Sequence, residues 1–308
     1  VASGQIMQII AEYIPNLIGG SADLNASTKT HLKGKGDFQA DNRKGSNINF
    51  GVREHAMGGI LSGLALHGGL RPFGSTFLVF YDYMKPAVRL AAIMGLPVTY
   101  IYTHDSIAVG EDGPTHQPIE HLANLRSIPN LHVLRPADAA ETAACWLHIL
   151  ERRSGPSALI LSRQNLPQLE GSGTAALKGA YIIKPESGKK AAPELILIAG
   201  GSELNLVLKA QELLEADGFS VRVVSMVCKE LFLAQDEAYR NLVLPVESEV
   251  RLVVEAAVPM GWESIAGVKG RILGLTDFGA SAPGEEVMDK RGMNVGNILS
   301  AAKEMLNR

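Results

Sequence analysis

The sequence predicts two consecutive α/β domains, the first built on a mainly parallel sheet. Three observations point there. Short β-branched runs alternate with segments of helical apolar spacing along the whole chain. A polar, turn-rich stretch, Pro185–Pro193 with Gly188, Lys189 and Lys190, interrupts that alternation. The length of 308 residues is long for one domain and fits about two. The expected division is 1–180 for the first domain, 181–193 for a linker and 194–308 for a smaller second domain.

Element by element, an amphipathic run with Ile6, Ile9, Ile10, Tyr13 and Ile14 predicts an opening helix. Strands are expected at Leu17–Gly20, Ile48–Phe50, Pro97–Tyr102, His132–Leu134 and Ala158–Leu161. Between them, Glu54–Leu66, Phe80–Met94 and Ala137–Leu150 place apolar residues on one helical face. Gln164–Gly179 carries little strand signal. The second domain reads as strand Leu195–Ala199, helix Glu203–Ala216, strands Val221–Met226 and Leu252–Glu255, and a final helix near Gly296–Leu306. Between the first of these strands and its helix stands Gly200-Gly201-Ser202, which reads as a tight corner rather than a phosphate loop. With no other chemical cluster in view, packing and dimerisation are the roles expected of this domain.

Composition removes several classes of function. Hydrophobic residues make up 46% and charged residues 20%, values ordinary for a globular chain with a full core. A net charge of -3 offers no basic stripe for nucleic acid and no case for a membrane surface. The apolar runs are strand-sized, far short of a spanning helix. Cys145 and Cys228 lack metal-ligand spacing and sit in apolar surroundings, so both read as buried free thiols of a cytoplasmic protein. No targeting segment is visible; the chain opens on Val1 inside a helical pattern, which reads as a cut within a longer protein.

Chemistry concentrates in four segments. Thr103–Gln117 gathers His104, His116, Asp112, Gly110, Gly113 and Pro114 between apolar runs, a loop too polar for a core. A solvated connection is its plain alternative. Gly51-Val52-Arg53-Glu54-His55 lies where a strand ends and a helix begins; a glutamate there also suits the helix macrodipole. Gly19-Gly20-Ser21-Ala22-Asp23-Leu24 reads as a loop after the first strand, with Asp23 also able to act as a helix cap. Ser162-Arg163-Gln164-Asn165-Leu166-Pro167 follows a strand at the edge where parallel sheets bind ligands, although for Arg163 taken alone a surface ion pair is the plainer reading. Phe73, Phe77, Phe80, Tyr81 and Tyr83 are crowded nearby, with Phe77, Phe80 and Tyr83 spaced by three on one face of a turn or helix.

In order and wording these segments resemble transketolase, a thiamin-diphosphate enzyme, and the resemblance covers nearly the whole chain as the carboxyl-terminal half of that family. It implies a thiamin-diphosphate pyrimidine-binding domain followed by the family's carboxyl-terminal domain. Glu54 would be the activating acid: the cofactor's aminopyrimidine must be protonated at the ring nitrogen opposite its amino-bearing carbon, and a carboxylic acid in a dry pocket shares that proton. Phe80 would stack on the aminopyrimidine, with Phe77 and Tyr83 beside it and Asp23 near the cationic thiazolium. His104 and His116 would hydrogen-bond sugar oxygens and assist proton transfer. Asp112 would read the hydroxyl next to the carbonyl, while Ser27 and Arg163 would bind the sugar phosphate, a dianion suited to a guanidinium.

The resemblance also sets expectations outside this sequence. Family diphosphate domains carry Gly-Asp-Gly and, further on, an asparagine pair that hold the diphosphate and its Mg or Ca ion; this chain has no Gly-Asp-Gly and no metal site is expected in it. It is expected to be a cut piece or one subunit of a split enzyme, inactive without that domain, and to form a homodimer. The implied reaction is ketol transfer between sugar phosphates in the pentose phosphate pathway. Two alternatives stand beside it: a related subunit of the deoxyxylulose-phosphate synthase or 2-oxo acid dehydrogenase beta type, and a non-catalytic dimerisation fragment.

Overall fold

A computed structural model describes residues 1–187 and 192–306. The first sheet has six strands: β1 (Leu17–Ser21), β2 (Asn47–Asn49), β3 (Arg71–Phe77), β4 (Thr99–Thr103), β5 (His132–Leu134) and β6 (Ser157–Ile160). They lie in the order β2-β1-β3-β4-β6-β5, every neighbouring pair parallel. The second sheet has β7 (Ala180–Lys184), β8 (Leu195–Ala199), β9 (Val221–Met226), β10 (Arg251–Val254) and β11 (Arg271–Leu273), ordered β11-β10-β8-β9-β7. Only its edge strand β7 runs antiparallel. Two consecutive α/β domains are therefore present, and helices cover the sheets as the all-buried strand patterns require. Among the described residues no helix is long and apolar enough to cross a membrane.

Most expected elements fall within two residues of their observed bounds. Strand β3 lies where the sequence predicts no strand. Its sequence, Arg-Pro-Phe-Gly-Ser-Thr-Phe, has neither an apolar run nor alternation, yet it pairs with β1 and β4 at the centre of the sheet. Six of its seven residues are buried, Ser75 and Thr76 among them, and Ser75 is satisfied by Thr28, Thr30 and the Gly20 carbonyl. The expectation that Gly19–Leu24 forms a loop also needs correction. Gly19, Gly20 and Ser21 lie inside β1, and only Ala22–Leu24 turns away. The glycines are explained by close backbone approach: a Cβ on Gly19 would meet the Phe73 carbonyl oxygen at 1.8 Å, and one on Gly20 that of Ile48 at 2.0 Å.

Residues 180–184, placed across the start of the expected linker, form β7 and hydrogen-bond to β9. Gly188, Lys189 and Lys190 lie outside the described residues. Cys145 and Cys228 are both buried and free, as expected. Of the three apolar clusters among the described residues, one passes between the domains, joining Ile107, Leu134 and Ala144 to Leu195, Val223 and Val287. The strand ends that carry chemistry point to one edge of the first sheet: Ala22–Leu24 follows β1, Phe77 closes β3, His104 follows β4 and Arg163 follows β6.

Candidate active site

Glu54 occupies the first turn of the helix Glu54–His67, just after the Gly51–Arg53 turn that follows β2. It is 7% exposed. Among the described residues no donor hydrogen-bonds its carboxyl and no cation pairs with it. The carboxyl belongs to the lining of an open cleft of about 830 Å³ shared with Asp23, Arg53, Phe80 and Tyr83. Its oxygens, unpartnered among the described residues, face the cleft and are free to meet a ligand there. Asp23, also in the cleft, is exposed and held in left-handed backbone, φ 62°. Such strain persists where neighbouring structure imposes it and is frequent at ligand sites; here the Leu24 amide donates to the Ser21 hydroxyl and ties the turn.

The aromatic run divides between two tasks. A short 3₁₀ turn, Leu78–Phe80, links β3 to the helix Tyr81–Ile93 and leaves Phe80 half-buried at the cleft. Tyr83 is 66% exposed at its rim, 6.3 Å from Phe80 between ring centroids. Phe77 is buried, absent from the cleft lining, and stacked on the His104 imidazole with centroids 3.7 Å apart. Beside the rim, His121 lies 3.2 Å from Asp82, a pairing no motif suggested.

His104 leaves the end of β4 with φ 60°, and its Nδ1 lies 2.9 Å from the Thr103 hydroxyl. Burial, chiefly, and the positive charge of Arg163 push its pKa down to about 4, against the opposing pull of Asp112 and Asp105. At neutral pH His104 is thus an uncharged hydrogen-bonding group. His116 is half-buried, edge-on to Phe80 at 5.6 Å, and pairs through Nδ1 with the Thr115 hydroxyl at 2.9 Å. Asp112 is exposed on the same loop. His104, His116, Asp112 and Arg163 therefore share one electrostatic neighbourhood. Arg163 itself is exposed in a hollow with Gln5, Asp138 and Asn165. Ser27 stands exposed on the short helix Asn25–Thr28 and does not line the cleft, whereas its neighbour Thr28 turns inward to Thr30 and Ser75.

Sequence motifs gave no hint of the polar cluster behind this loop. Arg135, 1% exposed, donates from Nε to Asp105 at 2.9 Å and to Glu203 and the Gly200 carbonyl of the second domain. Glu255 pairs with Arg126 at 2.7 and 2.8 Å and accepts from the Trp262 indole at 2.7 Å. Burial opposes charge on Arg135, but Glu203 and Asp105 outweigh it and push its pKa up. The Gly200-Gly201 corner serves this cluster: Gly201 has φ 57°, and a Cβ there would lie 2.8 Å from the Arg135 guanidinium.

A parallel α/β domain with an acid facing a cleft at a helix start, followed by a second α/β domain, is the arrangement of a two-domain class that binds a pyrimidine, and the family matches identify it here. The family described as "Transketolase, pyrimidine binding domain" matches residues 1–168, and "Transketolase-like TK C-terminal domain" matches residues 179–294. The chain belongs to the transketolase family. It is 52% identical over 311 aligned positions to a transketolase of Geobacillus stearothermophilus, covering 100% of this chain and 46% of that protein. The solved transketolase of Pichia stipitis in complex with sedoheptulose-7-phosphate superposes with a TM-score of 0.94 at 40% identity, covering 99% of this chain and 45% of that one. A structure described as a split-gene transketolase, an inactive beta4 tetramer, superposes with a TM-score of 0.77 at 25% identity, covering 99% of this chain and 97% of that one. The chain spans about half the length of the curated relatives it matches.

Proposed function

We propose that this chain forms one wall of a thiamin-diphosphate-dependent transketolase site, moving a two-carbon ketol unit from a ketose phosphate to an aldose phosphate in the pentose phosphate pathway. The observation that carries the reading is Glu54, a largely buried residue whose carboxyl has no partner among the described residues and faces the cleft of Phe80, Tyr83 and Asp23. The chemistry of that donor set fits the cofactor's aminopyrimidine: an acid for a basic ring nitrogen, an aromatic face for a flat ring, and a carboxylate for a nearby cation. Thiamin diphosphate, when bound, supplies the carbon nucleophile that cleaves the bond beside the ketose carbonyl.

The chain's own groups divide the remaining work. Glu54 holds a proton at the pyrimidine nitrogen. Phe80 covers the ring, Tyr83 borders it, and Phe77 contributes by seating His104. His104, neutral above about pH 4, and His116 offer nitrogens to the sugar's carbonyl and hydroxyl oxygens. Asp112 accepts from the adjacent hydroxyl and so selects its configuration. Arg163 neutralises the phosphate; Ser27, exposed outside the cleft, is given no part in holding it. The diphosphate and a Mg or Ca ion are assigned to a separate domain, met across a homodimer in the cytoplasm, so this chain alone should transfer no ketol unit. The paired histidines with Asp112 favour sugar-phosphate donors over the 2-oxo acids used by related subunits.

Glu54→Gln tests the reading in an enzyme assembled with the diphosphate domain. The amide keeps size and polarity but cannot share the proton, so deuterium exchange at the reactive thiazolium carbon should fall steeply while cofactor binding persists. An exchange rate equal to the parent's would remove Glu54 from the chemistry.

A further inference from the structure

The second domain holds the candidate substrate loop at both ends. At its start, His104 adopts left-handed backbone, a conformation that costs a residue with a Cβ of order 1 kcal/mol and needs outside support. That support comes through the next residue. Asp105 is 2% exposed, and its Oδ2 accepts from Arg135 Nε at 2.9 Å and lies 2.8 Å from Nη2. Arg135 in turn is fixed by the second domain: Glu203 takes two of its donors, the Gly200 carbonyl takes a third, and Glu255 stands 3.8 Å away. Glu203 is anchored by the Ser202 hydroxyl and the Ala256 amide. At the loop's far end, the buried Gln117 donates to both the Gly110 carbonyl and the second domain's Ala280 carbonyl, each at 2.9 Å. The Ser281 hydroxyl donates to the Glu111 carbonyl at 2.6 Å. Gly284 packs on Ala108 so closely that a Cβ would meet its carbonyl oxygen at 2.4 Å.

We propose that the second domain is a positioning element for the substrate loop, with Arg135, clamped by Glu203, fixing Asp105 and thereby the turn that presents His104. Packing alone would be served by apolar residues, and burying three carboxylates and two guanidiniums is costly unless each is paired. What such a network provides instead is a single allowed geometry, since each fork accepts its carboxylate in one orientation. The wider role of the loop in sugar recognition rests on the function proposed above; its mechanical dependence on the second domain does not.

The test uses the 308-residue chain with 13C-labelled histidine. Glu203→Gln should move the His104 titration away from about 4, whereas Asp105→Asn, which also removes a charge acting directly on His104, is read by amide exchange. Both should speed amide exchange at Ser106–Gly110 by roughly tenfold or more, because the loop then opens locally. Arg222→Lys is the control: Arg222 is 8% exposed and binds Glu186 and the Leu242 and Val243 carbonyls, away from the cluster. It should weaken the second domain and leave His104 untouched. Parent-like values in Glu203→Gln, or an equal disturbance by Arg222→Lys, would overturn the proposal. Should Glu203→Gln fail to fold, Ser281→Ala carries the test at the loop's other end, with faster exchange expected at Glu111–His116 and unchanged exchange counting against. Ketol transfer by the same variants in the assembled enzyme separates the two claims. A disturbed loop with unchanged transfer supports the positioning and removes His104 from sugar recognition.

Discussion

The imidazole of His104 lies flat on the ring of Phe77, centroids 3.7 Å apart and planes 23° from parallel. One aromatic from the end of β3 thus shields one face of a histidine from the end of β4, and burial is the leading reason that histidine resists protonation.

Phe77→Ala should therefore raise the His104 pKa from about 4 towards 6.5, read from the ring-carbon shifts across a pH titration. Water reaching the exposed face removes the desolvation that disfavours the imidazolium. A pKa that stayed near 4 would assign the depression to Arg163 instead. Loss of a buried phenyl should also cost about 3–5 kcal/mol of stability.

Acid should destabilise the chain earlier than its carboxylates alone would suggest. His104 and His148 are pushed down to about 4 and His132 to about 3, by burial first and then by Arg163 or Arg152. Between these values and the unfolded value of 6.5 the unfolded chain binds more protons, so stability falls as pH drops through that window and is unaffected by these groups above it. Glu141, whose carboxyl burial pushes up, acts in the opposite direction but is one group against three. Melting temperatures from pH 7 to 4 check this, and a flat profile would contradict it.

Arg163→Ala should weaken phosphorylated donors in the assembled enzyme by about 1.5–3 kcal/mol, the range for hydrogen bonds to charged groups, and leave an unphosphorylated donor nearly unchanged. Asp112→Ala should instead narrow the preference between hydroxyl epimers. Equal losses for both donor types in Arg163→Ala would make Arg163 a structural residue.

Glu141→Ala should be severe for stability without touching the site. Its buried carboxyl accepts from the Ala137 amide, the Tyr181 hydroxyl and the Ser225 hydroxyl, joining the helix Ala139–Glu151 to β7 and β9. Each orphaned partner costs about 1–3 kcal/mol. Denaturant unfolding should show a lower midpoint, and a loss below ~1 kcal/mol would mean that water replaces the carboxyl.

The sequence by itself determined the α/β class, most elements and the segments that hold the candidate site. Those depend on local rules: apolar periodicity set the strands and helices, and Glu54, His104, Asp112 and Arg163 sit in short polar motifs at their ends. Strand β3 escaped because it is specified by neighbours, its serine, threonine and glycine being acceptable only between β1 and β4. Only the tertiary structure decided that Phe77 belongs to His104, that Ser27 stands outside the cleft, and that Arg135 meets Glu203 across the domains. A charged residue's partner lies 68 positions away in the chain, and no local pattern encodes a contact made only when two sheets close on a shared core.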